Sequence, residues 1–332
     1  MSKGIGVVIH QLKSVVTEAE NFLPKEDLWW KLPWQKAKKE CYLKDRVSNN
    51  LYLLRLAKID LKDKIVLDAG CGAGLDLFIF YFLGAKKVFG LDINKEEIDF
   101  IEKLKSKLGL NSLIVSCADA ANLHFSDESI DLIFCHETIS HINNVDGFFK
   151  EAKMVLKREG VLLISDANNL CNPYIRYKTY KIWNCFENGP PRKNIFGHRV
   201  LFPYTEARKR VIRDCSPNLN EKEVELLAKA TSGKIKDEII EAVKKYLEEK
   251  ELPKNFYHYG NPPIEPLSGS YIERLFNPKD LVNRLSSFGF NSRYYAFFTG
   301  RTILKMINPL FLRSSPISIY LARSFIIIAK KK

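Results

Sequence analysis

A short run of alternating glycines follows the first predicted strand of the chain. The strand is Ile65–Asp68, and the run after it consists of Gly70, Cys71, Gly72, Ala73 and Gly74. Glycine adopts backbone angles closed to other residues and lets a ligand approach the main chain. The helix that follows offers free N–H groups to an anionic group. The run therefore predicts a ligand-binding turn.

An acidic residue, Asp68, stands two positions before the first of these glycines, Gly70. Dinucleotide sites use the spacing G-x-G-x-x-G and place a pyrophosphate here, which a carboxylate would repel. The spacing in this chain is G-x-G-x-G, and a carboxylate suits an ammonium or sulfonium ligand. Both features disfavour a nicotinamide-dependent oxidoreductase, an alternative that titration with NADH would test.

Carboxylates also stand at the ends of the next two predicted strands. Asp92 closes the strand Lys87–Leu91, eighteen residues after Gly74. A carboxylate there can accept hydrogen bonds from both hydroxyls of a ribose. Asp119 follows the strand Leu113–Cys117 and can accept a hydrogen bond from the amino group of adenine.

Strands alternate with helices between residues 64 and 166. Two further strands are predicted at Ile130–Cys135 and Gly160–Ser165, and the helices between strands at Leu75–Leu83, Lys95–Leu108 and Val145–Leu156. This alternation predicts an α/β fold, a parallel sheet with helices on both faces. It stops after Asp166 and returns near the end of the chain, with a helix from Pro278 to Phe288 and strands at Arg293–Phe298 and Ser324–Ala329.

Residues 64–166 resemble the S-adenosylmethionine-binding core of class I methyltransferases, closest to the group that methylates small molecules, quinones and lipids. Asp119–Asp131 resembles that group's pattern of an acid, a Leu-Pro-Phe turn and a Phe-Asp strand start. His141–Asp166 is similar to its helix-turn-strand segment. His124 stands where proline is usual, Ile130 where phenylalanine is usual and Glu159 where a first glycine is usual. These departures alter turns and leave the cofactor residues intact.

The resemblance implies a Rossmann-like, seven-stranded, mostly parallel sheet with an antiparallel last strand, interrupted by a helical insertion. It also implies S-adenosylmethionine as the cofactor. The glycine run would contact the methionine part with Asp68 near the ammonium, Asp92 would hold the ribose, and Asp119 the adenine. The predicted cofactor-binding set is Asp68, Gly70, Cys71, Gly72, Gly74, Asp92, Ile93, Asp119, Ala120 and Cys135.

Three residues after the fourth strand are candidate general bases: His136, Glu137 and His141. Alignment of the acceptor in line with the S–CH3 bond supplies much of the rate, and a hydroxyl acceptor also gains from a general base. His141 matches a position where the family often has histidine. A helix-terminal or packing role for His141 is the alternative.

The length of 332 residues predicts two domains, or one domain with a large insertion. We predict an N-terminal helical extension at residues 1–60, the cofactor-binding core at 61–170 and a helical substrate insertion at 171–275 that caps the crevice. Residues 276–332 complete the core with the last helix and two strands. The aromatic cluster Leu28–Trp34 is expected to pack against the main domain.

The net charge of +13 is concentrated in two stretches. Cys171–Arg213 carries a balance of +8 and Lys279–Lys332 a balance of +9. They favour an anionic acceptor, or peripheral contact of the loop Gly300–Ala322 with an anionic membrane surface. A nucleic-acid methyltransferase stays an alternative, disfavoured because Cys135-His136-Glu137-Thr138 replaces the Asn-Pro-Pro-aromatic motif and no Pro-Cys nucleophile is present.

The seven cysteines show no CxxC or zinc-site spacing, so no bound metal is predicted. No uncharged apolar stretch is long enough for a membrane span. We predict a cytoplasmic, at most peripherally membrane-bound enzyme. It would transfer a methyl group from S-adenosylmethionine to a small-molecule or lipid-like acceptor by in-line displacement. A catalytically silent cofactor-binding protein is the remaining alternative.

Overall fold

The computed structural model describes residues 4–26, 28–298 and 315–332. The chain forms two compact units. The first contains Met1–Ala167, Pro278–Ala296 and Phe325–Lys332, and the second contains Asn168–Asn277 and Phe297–Ser324.

The chain begins with helices and continues as a strand–helix alternation. The helices before the sheet are α1 (Ile5–Ala19), α2 (Leu32–Ala37) and α3 (Glu40–Leu56). The alternation is β1 (Ile65–Ala69), α4 (Leu75–Phe82), β2 (Lys87–Asp92), α5 (Lys95–Lys107), β3 (Leu113–Cys117), β4 (Ile130–His136), α6 (Val145–Val155) and β5 (Leu156–Asp166).

The rest of the chain adds the second unit and the last strands. Its elements are α7 (Pro173–Asn188), β6 (Arg192–Ile195), β7 (His198–Val200), α8 (Tyr204–Cys215), α9 (Glu221–Ala230), α10 (Lys236–Glu249), α11 (Pro278–Ser287), β8 (Phe290–Phe297), α12 (Ser315–Ser318) and β9 (Ser324–Lys331).

The sheet has seven strands in the order β3-β2-β1-β4-β5-β9-β8. The first five pair in parallel, and β9 pairs antiparallel with β5. This confirms the predicted mostly parallel sheet with an antiparallel last strand. Because crossovers between parallel strands are right-handed, α4 and α5 cover one face and α6 the other. The carboxyl ends of β1, β2, β3 and β4 therefore meet at one edge of the sheet.

The central strands are buried on both faces, as their apolar sequences predict. Val66 and Leu67 of β1 and Ile133 of β4 are fully buried. The fifth strand begins at Leu156, four residues before the predicted Gly160, because the pairing of β4 with β5 is irregular there. Glu159 adopts a φ of 62°, so the left-handed conformation that glycine usually supplies in the family is present without it.

The N-terminal helices pack against the strand-and-helix core of the same unit. Val8, Leu12 and Val15 lie on one side of α1 and are buried, and α1 contacts α3, α4 and α5. The aromatic cluster packs as expected, with Trp30 against Phe100 of α5 at a centroid distance of 5.4 Å.

The second unit is mainly helical in its described part. Side chains of α8, α9 and α10, including Val211, Leu227 and Ile239, form its apolar core. The hairpin of β6 and β7 was not predicted, because Arg192–Ile195 is largely polar and lacks apolar alternation. The placement of this insertion over the cofactor crevice stays a prediction.

A buried ion pair ties α7 to α8 in the second unit. Arg208 and Glu187 are 0% and 1% exposed, and the two side chains are bonded to each other. Arg208 Nε also donates to the carbonyl of Ala228 at 2.7 Å, and Thr205 Oγ1 donates to the carbonyl of Glu187. One cation of the basic stretch Cys171–Arg213 is thus neutralised inside the protein.

None of the described helices is both long and apolar enough to span a bilayer. The loop Gly300–Ala322 predicted for membrane contact lies largely outside the described residues, which resume at Ser315.

Candidate functional site

The glycine run forms a tight left-handed turn between β1 and α4. Gly70, Gly72 and Gly74 have φ values of 81°, 51° and 82°. A Cβ on Gly70 would lie 2.0 Å from Thr138 Cγ2, and one on Gly74 would lie 2.7 Å from Ile101 Cδ1. Conformation and space both require glycine at these two positions.

Two contacts anchor this turn to its surroundings. The backbone N–H groups of Gly70 and Cys71 donate to the carbonyl of Leu91 at 2.8 and 2.9 Å. Trp34 Nε1 donates to the carbonyl of Ala73 at 2.9 Å. The Trp34 ring is buried and packs edge-on against Phe78 and Phe100. The N-terminal helices therefore fix the far side of the glycine turn.

Asp92 lies at the end of β2 with both carboxylate oxygens bonded to backbone. Oδ2 accepts from the N–H of Gly72 at 2.8 Å, and Oδ1 accepts from the N–H of Asn94 at 2.9 Å. A carboxylate has about four lone-pair sites, so each oxygen keeps acceptor capacity for a ribose hydroxyl. The backbone bonds hold the carboxylate in one orientation beside the glycine turn.

The residues predicted to surround adenine follow β2 and β3. Ile93 is 70% exposed, an apolar surface next to Asp92 that a planar ring could cover. Asp119 is exposed, and its Oδ1 accepts from the N–H of Ala121 at 2.8 Å. Ala120 is buried, and the N–H of Ala118 donates to the carbonyl of Asp92 at 3.0 Å. This last bond joins the two loops.

A buried charge cluster lies beside the glycine turn. Arg46 of α3 makes two bonds to Asp76 in the first turn of α4, Nε–Oδ1 at 2.8 Å and Nη2–Oδ2 at 2.5 Å. Asn50 Nδ2 donates to Asp76 Oδ1 at 2.8 Å. Burial opposes ionisation of Asp76, but the charge and hydrogen bonds of Arg46 outweigh it, so the pKa of Asp76 is lowered.

The pKa of Asp68, near the end of β1, is shifted in the opposite direction to that of Asp76. Asp68 is 3% exposed, and burial raises its pKa well above the ordinary value. The carboxylates of Asp76 and Asp92 raise the pKa further, while Arg46 lowers it. Asp68 therefore gains its negative charge most readily when a cationic group arrives beside it.

His136 is the last residue of β4 and lies against the same cluster. Arg46 Nη2 is 3.3 Å from His136 Nδ1. A guanidinium only donates hydrogen bonds, so Nδ1 is the acceptor and the neutral ring carries its proton on Nε2. Burial, and then the charge of Arg46, lower the pKa of His136 to about 4, with Asp76 acting in the opposite direction. The ring is thus a hydrogen-bond donor at Nε2, which opposes its predicted role as a general base.

The other predicted residues near β4 lie on either side of the strand end. Cys135 is fully buried, and burial raises the pKa of its thiol. Glu137 is exposed with a φ of 55°, and its Oε2 accepts from the N–H of Ala167 at 3.3 Å. His141 is exposed, and its backbone N–H donates to the carbonyl of Thr138. Their roles as general bases stay predictions.

Sequence reasoning missed two buried carboxyl groups of this site, that of Asp76 and that of Glu97 on α5. Glu97 is 1% exposed, and Asn94 Nδ2 donates to its Oε1 at 2.9 Å. Its Oε2 has no hydrogen-bond partner among the residues that the structure describes. A Cβ on Gly72 would lie 3.2 Å from Oε2. Burial, and then the charges of Asp92 and Glu96, raise the pKa of Glu97 to about 8.

The cluster fits the parts of S-adenosylmethionine. The glycine turn and Asp68 stand where the resemblance implies the methionine group, and Asp68 can pair with an ammonium. Asp92 can accept hydrogen bonds from two ribose hydroxyls, and Ile93 and Asp119 stand where the resemblance implies the adenine. Within residues 4–26, 28–298 and 315–332, no His, Cys, Asp and Glu side chains cluster as a metal site.

A separate surface groove of about 610 Å³ lies in the second unit, along α10 and the segment after it. Its walls carry both signs of charge, including Lys234, Glu238 and Glu241. It contains none of the predicted site residues, so the candidate site is identified by its chemistry and not by cavity size.

The raised pKa of Glu97 predicts a pH-dependent penalty on stability. The unfolded chain ionises this group near 4.5 and the folded protein only near 8, so stability falls as pH rises between these values. Glu97→Gln removes the ionisation and keeps an oxygen for Asn94. Its melting temperature should exceed that of the wild type by a margin that grows from about pH 5 to about pH 8.

Differential scanning fluorimetry across this range measures the effect. Glu102→Gln, an exposed residue on the same helix, is the control and should show a margin independent of pH. A constant or shrinking margin for Glu97→Gln would contradict the assignment.

The contact of Arg46 with His136 makes a second prediction. The imidazole of His136 should stay neutral, with the proton on Nε2, from neutral pH down to about pH 5. Long-range ¹H–¹⁵N NMR reports the tautomer and titration, and His136→Gln assigns the signal. Arg46→Gln should raise the pKa of His136, because it removes the cation and leaves Asp76. A wild-type midpoint at the ordinary value of 6.5 would refute this arrangement.

Comparisons with known proteins match the chain to methyltransferases. A family described as "Methyltransferase domain" matches residues 60–231. The ubiquinone biosynthesis O-methyltransferase of Pelagibacter ubique is 30% identical over 135 residues, 40% of this chain and 54% of that protein. Phosphoethanolamine N-methyltransferase 1 of Arabidopsis thaliana is 35% identical over 111 residues, 33% of this chain and 22% of that protein.

A crystal structure of YcgJ from Bacillus subtilis aligns over 86% of this chain and 99% of its own, at 14% identity and a TM-score of 0.46. The chain spans about half or less of the length of the two curated relatives. The family match covers just over half of the 332 residues and includes the glycine turn, Asp92 and Asp119. The chain therefore belongs to the class I S-adenosylmethionine-dependent methyltransferases.

Proposed function

We propose that this protein transfers a methyl group from S-adenosylmethionine to a small-molecule or lipid-like acceptor. The observation that carries the proposal is the carboxylate of Asp92. It is held by the N–H groups of Gly72 and Asn94 beside a left-handed glycine turn. The chain's own hydrogen bonds thus orient the Asp92 carboxylate for the ribose, and such preorganisation lowers the entropy cost of binding.

The protein's own contribution to the reaction is mostly positioning. S-adenosylmethionine would supply a methyl group on a positively charged sulfur, and the neutral thioether S-adenosylhomocysteine is the leaving group when the S–CH3 bond breaks. Asp68 and the glycine turn would fix the methionine part, and Asp92 the ribose. Because the acceptor atom must approach in line with the S–CH3 bond, rigid anchoring of both ends raises the rate through orientation.

Proton transfer from the acceptor is assigned to Glu137 or His141. Both are exposed and follow β4, which ends at His136, and the crevice of an open α/β sheet lies at this end of its strands. His136 would instead donate its Nε2 proton in a hydrogen bond to a ligand oxygen. An oxygen acceptor needs the general base most, since its proton must leave as the methyl group arrives.

The acceptor class rests on the relatives and on charge. The curated relatives include O- and N-methyltransferases named for ubiquinone biosynthesis, phosphoethanolamine and malonyl-acyl carrier protein. These names favour a small or lipid-like acceptor over a nucleic acid. The basic stretch Cys171–Arg213 favours an anionic one, although Arg208, Lys209 and Arg213 of this stretch pair with glutamates. A cytoplasmic location stays a prediction.

Loss of the Asp92 carboxylate should weaken cofactor binding. Asp92→Ala removes two hydrogen bonds from ribose to a charged group, so the affinity for S-adenosylmethionine should fall by more than about tenfold. Titration calorimetry measures this. Asp99→Ala, an exposed residue on α5 paired with Lys95, is the matched control and should bind as the wild type does. Unchanged affinity of Asp92→Ala would remove Asp92 from the site.

Methyl transfer itself is tested with methyl-labelled S-adenosylmethionine and fractionated cell extract. The wild type should release S-adenosylhomocysteine and label a metabolite or lipid, and Asp92→Ala should do so more slowly at low cofactor concentration. Label found in nucleic acid would overturn the acceptor class. Cofactor binding without any release of S-adenosylhomocysteine would identify a catalytically silent binding protein instead.

A further inference from the structure

The outer face of α7, in the second unit, combines aromatic rings with cations. Tyr174 and Tyr177 are 52% and 53% exposed, and Arg176 and Lys181 are exposed beside them. Lys181 Nζ lies 5.4 Å from the centroid of the Tyr177 ring. Tyr174, Tyr177 and Lys181 are three, four and seven residues apart, so they share one helical face.

The segment from α12 to Arg323 continues this face within the same unit. Ile317, Tyr320 and Leu321 are 76%, 49% and 65% exposed. The segment is fixed to the start of α7, because Asn172 Nδ2 donates to the carbonyls of Leu321 and Ala322 at 3.0 and 3.1 Å.

Two further contacts place the two exposed faces side by side. The Arg323 guanidinium lies 6.0 Å from the centroid of the Tyr174 ring. Asn169 Nδ2 donates to the carbonyls of Ile319 and Ala322 at 2.7 and 2.8 Å. We name the surface formed by the exposed side chains of 174–181 and 317–323 the aromatic-basic patch.

The charge of this patch has one sign. Residues 172–186 and 315–323 contain no aspartate or glutamate. Among the described residues, no carboxylate lies within ion-pair distance of Arg176, Lys181 or Arg323. By contrast, Lys209 and Arg213 of the same unit pair with Glu206 and Glu221. The patch therefore presents unneutralised cations next to protruding apolar side chains.

We propose that the aromatic-basic patch binds an anionic lipid surface. Protruding aliphatic side chains such as Ile317 and Leu321 gain free energy by entering the acyl boundary of a bilayer. Tyrosine rings are favoured at the level of the headgroups, with an apolar body and a polar tip. Lysine and arginine at the same level attract anionic headgroups.

A lipid surface fits this chemistry better than a nucleic acid does. Tyrosines can stack on bases and cations can pair with phosphates, but Ile317 and Leu321 have no partner in a nucleic acid groove rich in phosphate. Their exposure of 76% and 65% is unfavourable in water and is relieved in a bilayer. The proposal concerns this surface alone and does not depend on the identity of the methyl acceptor.

Vesicle co-sedimentation of the full chain tests the proposal without measuring methyl transfer. The wild type should bind vesicles of phosphatidylglycerol and phosphatidylcholine more tightly than vesicles of phosphatidylcholine alone. Binding should weaken as ionic strength rises from about 0.1 M to about 1 M, because the screening length shortens from about 10 to about 3 Å. The triple variant Arg176→Gln/Lys181→Gln/Arg323→Gln should lose at least about tenfold in partitioning, since each cation contributes about fivefold.

The apolar part of the patch is tested separately. Ile317→Ser/Leu321→Ser should also lose at least about tenfold in partitioning to the anionic vesicles. Two matched controls remove the same number of cations or of aliphatic side chains elsewhere on the surface. They are Lys103→Gln/Lys222→Gln/Lys244→Gln for charge and Leu226→Ser/Leu247→Ser for apolar exposure, all at exposed positions. Melting temperatures confirm that every variant is folded.

Three outcomes would overturn the proposal. The first is equal binding of the wild type to anionic and neutral vesicles. The second is an equal loss in the patch variants and their controls, which would show that net charge or apolar content is responsible and not this surface. The third is a loss on removing the cations with none on removing Ile317 and Leu321. That result, with displacement of the vesicles by an RNA oligonucleotide, would identify a nucleic acid as the partner.

Discussion

The ion pair between Arg46 and Asp76 is the interaction on which the candidate site depends. Two parallel hydrogen bonds join a helix of the N-terminal region to the first turn of α4. Asp76 is 5% exposed, and a carboxylate removed from water is tolerated only when it is paired and hydrogen-bonded. The amino end of α4 adds a favourable dipole, and Asn50 supplies a third hydrogen bond. Without α3, the helix after the glycine turn would begin with an unpaired buried charge.

After burial, the pair has the largest influence on the pKa of its neighbours Asp68 and His136. Asp76 favours protonated Asp68, and Arg46 favours neutral His136, in both cases acting in the same direction as burial. The site therefore holds one satisfied ion pair beside two groups that favour their neutral forms. A cationic ligand beside Asp68 would favour its ionised form, since an ammonium supplies the counter-charge that burial withholds. The buried carboxyl group of Asp68 can thus pair with a cationic ligand without being an isolated buried charge beforehand.

What the sequence could predict at this site depends on local spacing. The glycine turn, Asp92 and Asp119 follow from where strands end, and the parallel order β3-β2-β1-β4 brings those ends to one edge. Contacts between distant segments were not predictable in this way. Trp34 and Ala73 are 39 residues apart, and Arg46 and Asp76 are 30 apart. Both join the N-terminal helices to the core, and helical periodicity shows which face is buried but not which residue it meets.

Glu97 shows a different limit of sequence reasoning. Asn94 followed three residues later by Glu97 matches the pattern of a helix N-cap, which is typically exposed to solvent. Asn94 does cap α5, since its side chain accepts from the N–H of Glu96. The helix packs so close to the glycine turn, however, that the Glu97 carboxyl is buried beside Gly72. A local pattern that is correct for the backbone thus gave no indication of the environment of the side chain.

Charge counted along the sequence likewise differs from charge presented in space. The balance of +8 over Cys171–Arg213 includes Arg208, which is buried on Glu187, and Lys209 and Arg213, which pair with Glu206 and Glu221. Within the described part of the chain, the cations without such partners include Arg176 and Lys181 on α7, beside aromatic rings. Three of the four cations of α8 pair with glutamates of their own unit. Basic residues of the same stretch therefore act differently: most of those on α8 are paired within the protein, while Arg176 and Lys181 on α7 remain available to an anionic partner.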